Sequence, residues 1–109
     1  MGKHEFNTTN EIVTWLQNWY EAQCDGDWEH QYGVEIGTLD NPGWTVKIDL
    51  TGTSLEDASF TTVDEAHRSE YDWMYCDVSD GCFQGAGGTH NLLEILGLFR
   101  SWAEGASKR

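Results

Sequence analysis

Hydrophobic residues recur with a helical period at both ends of the chain and with a strand period between them. Near the N-terminus, "TTNEIVTWLQNWYEAQC" places four apolar residues on one helical face, namely Ile12, Leu16, Trp19 and Tyr20. Thr8 and Glu11 have the spacing of a capping box, and Gly26 can take the left-handed conformation that ends a helix. We predict a first amphipathic helix from Thr8 to the "CDGD" segment.

The period changes to two from Tyr32 onward, which predicts strands. Tyr32, Val34 and Ile36 alternate with smaller or polar residues, and a second alternating run follows "DNPG" from Trp44 to Leu50. "NPGW" has the residues of a type II turn, with Pro42 second and Gly43 third. "ASFTTVDEAH" and "YDWMYCDV" predict two weaker strands, and Cys82 to Gln84 is a candidate fifth strand or an extended arm.

The last patterned segment, "GAGGTHNLLEILGLFRSWAEG", predicts a second amphipathic helix. Thr89 is the predicted N-cap. Five residues form the apolar face, namely Leu92, Ile95, Leu96, Phe99 and Ala103. Residues 1–7 and 106–109 show no pattern and are predicted to be loose ends.

The order of helix, strands and helix predicts an α+β fold in one domain spanning residues 1–109. Short connections favour an antiparallel meander of four strands, with the fifth as an addition. The N- and C-terminal helices are expected to pack on one face of this sheet. The opposite face is expected to lie in water.

Charge narrows the partners that the chain can bind. Six Lys and Arg against 19 Asp and Glu give a formal net charge of −13, so phosphates of nucleic acid and anionic membranes would be repelled. Basic proteins are the natural partners, and the alternative is that the acids serve solubility alone. The same charge opposes self-association, which leaves a monomer or a weak homodimer through a sheet edge.

Cysteine usage and hydropathy predict a cytoplasmic protein. Three Cys without paired spacing do not make a disulfide framework, and no apolar run approaches the roughly 20 residues of a membrane span. "DGDWEHQYGVEI" contains only fragments of a calcium-binding loop, and Cys24 lies at a helix end that would not activate it as a partner of His30. We predict no metal and no cofactor.

A small thiol enzyme is the alternative from another class. Cys82 precedes the glycine-rich "GAGG" segment, whose backbone N–H groups at a helix N-terminus could hold an anion, and His90 could serve as the base. A tight link from strand to helix needs the same glycines, and this structural interpretation is favoured.

Three blocks carry a family resemblance: "WLQNWYEAQCDGDWEHQYGVEIGTLDNPGW", "DW" at Asp72 and Trp73, and "FQGAGG". From about Trp15 to Trp102 the chain resembles the Immunity protein 53 family of bacterial polymorphic toxin systems. The resemblance implies a small cytoplasmic protein, not an enzyme, that binds and neutralises a cognate toxin. A basic nuclease is a toxin class that an acidic inhibitor would suit.

The toxin-binding residues are predicted around the end of the first helix and the first hairpin. Five acids, Asp25, Asp27, Glu29, Glu35 and Asp40, are expected to form one contiguous negative patch. Trp28 and Trp44 lie in the same segment and are candidate aromatic anchors. The alternative for Trp28 is a place in the core.

Overall fold

The computed structural model describes residues 8–65 and 68–107. In chain order the elements are α1 (Thr8–Gln23), a 3-10 turn (Trp28–His30), β1 (Val34–Leu39), β2 (Gly43–Asp49), β3 (Val63–Glu65), β4 (Met74–Ser79), β5 (Cys82–Gly87) and α2 (Leu92–Ser107). Helix α2 thus continues into the predicted loose end 106–109, whereas residues 1–7 lie outside the described residues. Within the described part of the chain, no helix is long and apolar enough to cross a membrane.

Helix α1 forms as its apolar period predicts. Ile12 is buried, and Trp15, Leu16 and Trp19 pack against the core. Tyr20 differs from the prediction, because it lies at the margin of the apolar stripe and stays 39% exposed. Gly26 follows the helix end with a φ of +93°, which confirms the prediction of a left-handed residue there.

Helix α2 has the predicted apolar face but a different first residue. Leu92, Ile95, Leu96, Phe99 and Ala103 all lie in the core cluster or pack against it. The predicted N-cap, Thr89, is wrong: the helix begins at Leu92, and the buried Asn91 precedes it. The hydrogen bonds of the Asn91 side chain explain why the helix begins after this residue. Its Oδ1 accepts from the backbone N–H groups of Gly88 and Trp73, and its Nδ2 donates to Asp72 and Glu94.

The α+β class is confirmed, with five antiparallel strands in one sheet. Their order is β1-β2-β5-β4-β3, so the sheet is not the sequential meander that short connections favoured. The reason lies in the last strand, which leads into α2 through a short link and lies beneath that helix. A Cβ on Gly85 would stand 2.6 Å from Cγ2 of Ile95, so only a glycine-rich strand lets α2 approach the middle of the sheet so closely.

Two local predictions fail where side-chain packing decides the backbone. Among the described residues, the third strand covers Val63–Glu65, because the preceding residues are held to α2 instead: the Phe60 ring meets Trp102 edge to face, with ring centroids 5.1 Å apart, and the Trp102 indole donates to the Ser59 carbonyl. The last two residues of the predicted strand, 66 and 67, lie outside the described residues. The "NPGW" turn is not type II, since Gly43 has no positive φ and already belongs to β2. Gly43 is needed for close approach, because a Cβ there would collide with the Gly87 carbonyl oxygen.

Both helices pack on one face of the sheet, where the core lies. Its largest fully buried side chains are Phe83, Phe99, Ile48, Leu50, Leu55, Ile95, Val46 and Cys76. Phe99 of α2 is central, because its ring meets Trp15 and Trp19 of α1 at 5.8 and 5.2 Å and Phe83 of β5 at 5.1 Å. In the described residues, no helix covers the opposite face of the sheet.

Candidate functional site

The turn between α1 and β1 uses two of its carboxylates to hold itself together. Oδ1 of Asp25 accepts hydrogen bonds from the backbone N–H groups of Trp28 and Asp27, both at 3.0 Å. The Glu29 carboxylate accepts from the backbones of Asp25 at 3.0 Å and Gly26 at 2.8 Å. Hydrogen bonds from Trp28 and Asp27 lower the pKa of Asp25. The backbone N–H of Glu29 itself, together with those of Asp25 and Gly26, lowers the pKa of the Glu29 carboxyl.

The two tryptophans predicted as anchors are tied to the interior. Trp28 is only 6% exposed, and its indole N–H donates to the Thr51 carbonyl at 2.8 Å. Three aromatic rings surround it, namely Trp19, Tyr20 and Tyr32. Trp44 is half-buried and donates to the Thr89 carbonyl at 3.0 Å. The core alternative therefore describes Trp28, and an exposed anchor does not.

The five acids predicted as one patch lie in three places. Asp25, Asp27 and Glu29 share the turn before β1, Glu35 lies on β1, and Asp40 follows the end of that strand. Six residues of strand span about 20 Å. Asp40 is therefore at the opposite end of the hairpin from the acidic turn, and the expected contiguous patch is not formed. Contact of any of these acids with a toxin stays a prediction.

The geometry around Cys82 does not suit a nucleophile. The thiol is buried and donates to Oδ1 of Asp49 at 3.1 Å. Burial, with the hydrogen bond to Asp49, raises the pKa of Cys82 to about 11, so the thiolate is disfavoured. His90 lies beyond the far end of β5, about 20 Å along the strand from Cys82. The base that the thiol-enzyme alternative requires is thus at the wrong end of the strand.

The remaining cysteine and acid clusters offer no arrangement for a metal in the part of the chain that the structure describes. The Cys24 thiol donates to the Tyr20 carbonyl of its own helix at 3.4 Å. This hydrogen bond gives Cys24 a structural role at the end of the helix.

Apart from Glu35, sequence reasoning missed the residues on the uncovered face of the sheet, which we call the open face. Cross-strand pairing arranges them in three rows: Gly37, Thr45, Ala86, Tyr75 and Asp64; then Glu35, Lys47, Gln84 and Asp77; then Asp49, Cys82 and Ser79. A shallow depression of about 290 Å³ lies between Tyr75 and Lys47. The alternation in "YDWMYCDV" was the available signal, but without β5 the rows could not be assembled.

Fold and charge together define a small, acidic α+β domain with one open sheet face. The chain belongs to the Immunity protein 53 family, which it matches over residues 13–104. This confirms the family resemblance drawn from the sequence. No curated protein and no solved structure matches the chain.

Proposed function

We propose that this protein is an immunity protein, which binds a cognate bacterial toxin in the cytoplasm and neutralises it by stoichiometric binding rather than by catalysis. The family match over residues 13–104 is the observation that carries this proposal. Membership of an immunity-protein family implies a toxin as partner. The buried, protonated thiol of Cys82, remote from His90, supports binding over thiol chemistry.

The charge distribution supports a basic toxin as the partner. Of the described cations, Arg68 pairs with three carboxylates and Arg100 with one, so neither offers free positive charge. The net charge of −13 would attract a basic domain and speed its encounter with this protein. A nuclease of a polymorphic toxin system fits this description, because it must bind phosphates with Lys and Arg.

Co-expression tests the proposal directly. The toxin domain encoded beside this gene should arrest growth when expressed alone, and co-expression of this protein should restore growth and yield a complex that survives purification. A chain carrying a stop codon early in α1 is the matched control. Failure to rescue growth from any neighbouring toxin would contradict the proposed function.

A further inference from the structure

We propose that the toxin docks on the open face, with Tyr75 near the centre of the contact and Glu35 and Asp77 receiving basic side chains. The inference rests on the proposed function and adds to it the surface and the chemistry of the partner's surface. Its occupant is a basic protein surface, and neither a nucleic acid nor an anionic membrane has the required charge.

The open face has the shape and size of an interface core. Helices α1 and α2 occupy the other face, so these strands, apart from the buried Cys82, present their outward side chains to water. Four strands of six or seven residues, each about 20 Å long and spaced by about 4.8 Å, together with the three-residue β3, give a surface of roughly 400 Å², or about half of what one partner buries in a standard interface. Loops around the sheet are available to supply the polar rim.

Charge complementarity selects the partner. Among its described residues, the open face carries the carboxylates Glu35, Asp49 and Asp77 against the base Lys47. Among the described residues, Lys47 forms no ion pair. This excess of acid would attract a partner surface rich in Lys and Arg, whereas the exposed ammonium of Lys47 would repel it.

Tyr75 is placed to act as the anchor. It is 39% exposed and stands beside Ala86 and Asp64 in its row, with the small residues Thr45 and Gly37 beyond Ala86. A tyrosine on a paired strand loses little conformational entropy on binding, since it has only two side-chain torsions. Its ring offers a flat surface for a guanidinium, and its hydroxyl offers a hydrogen bond to a partner.

Two tyrosines of equal exposure make a matched test. Tyr75→Ala should weaken binding to the inactivated toxin domain encoded beside the gene by at least tenfold, measured by titration calorimetry. Tyr20→Ala, also 39% exposed but on α1, should change binding by less than twofold. Thermal melts of both variants check that they are folded. Equal affinities of the two folded variants would overturn the open face as the docking surface.

Charge changes on the same face test the sign of the partner's charge. Asp77→Lys should slow association severalfold, whereas Lys47→Glu should speed it, because only a basic partner responds in opposite directions to these two changes. Equal or reversed effects would overturn the inference. If the wild-type protein binds the toxin and all three open-face variants bind it as tightly and as fast, the open face is not the docking surface, but the proposed function stands. Wild-type protein that binds no neighbouring toxin contradicts the proposed function itself.

Discussion

At the scale of single residues, exposure does not indicate the role of a side chain in the acidic turn between α1 and β1. Asp25 is exposed and Glu29 is half-buried, and the carboxylate oxygens of both accept the backbone hydrogen bonds that close the turn. Trp28 is the opposite case, because a residue that looks like a surface anchor in the sequence is enclosed by rings of α1 and by Tyr32. The turn therefore has a structural reason for its composition, independent of any partner.

Replacement of Trp28 tests this structural role. Trp28→Phe keeps a ring but leaves the Thr51 carbonyl without its donor, so we expect a loss of about 1–2 kcal/mol in the free energy of unfolding. Trp28→Ala should lose about 3–5 kcal/mol, because it also empties the space of a buried indole. Tyr71→Ala, at a side chain 65% exposed, is the control and should change stability by less than about 0.5 kcal/mol. Urea unfolding measures all three, and a Trp28→Ala variant as stable as the wild type would contradict the core position.

At the scale of elements, the contact between β5 and α2 organises the sheet. Gly85 and Gly87 leave room for Ile95, and Asn91 fastens the start of α2 to the loop before β4. The last strand therefore takes the middle of the sheet, and β3 is left at an edge with three residues. Small residues in β5 thus have a packing function beneath the helix.

Two glycine substitutions of opposite expected sign test this contact. Gly85→Ala places a Cβ 2.6 Å from Ile95 and 3.2 Å from the Cys76 sulfur, so we expect it to lower stability by about 1–3 kcal/mol. Gly97→Ala, inside α2 with nothing within 4 Å of the added Cβ, should raise stability by about 0.4–1 kcal/mol. Thermal or urea unfolding compares them. Equal shifts of the same sign would show that α2 does not press on β5.

The sequence predicted the elements whose apolar period is regular and missed those that depend on a neighbour. Both helical faces were readable, since Ile12, Leu16, Ile95 and Phe99 repeat as a buried stripe must. Strand β5 was predicted only in part, as a candidate strand or extended arm over residues 82–84, because glycines are depleted in strands and "GAGG" is also typical of a link to a helix. Strand order depends on which strand α2 covers, and no local pattern reports that. The open face could not be predicted for the same reason, since Tyr75 and Lys47 lie on one surface only because β5 pairs with both of their strands.

At the scale of the whole molecule, two of the three lysines and arginines in the described residues are engaged in ion pairs. Arg68 contacts Glu94 at 2.9 Å, Asp72 at 3.0 Å and Glu65 at 3.2 Å, which fastens the loop before β4 to α2. Arg100 pairs with Glu104 and lies over the Trp15 ring. These arginines serve the fold, and most of the other acids face solvent. The resulting negative field is suited to long-range attraction of a basic protein.

One measurement tests most directly the central claim, that this protein neutralises a basic toxin by stoichiometric binding. It follows the association of this protein with the toxin domain encoded beside its gene, by stopped-flow mixing across ionic strength and by light scattering. We expect a one-to-one complex whose association rate falls at least tenfold between roughly 0.02 and 0.5 M salt, because screening shortens the reach of the acidic surface. The thermal transition of the purified protein before mixing is the control for folding. A folded protein that forms no stoichiometric complex, or one whose association rate does not change with salt, would contradict the account.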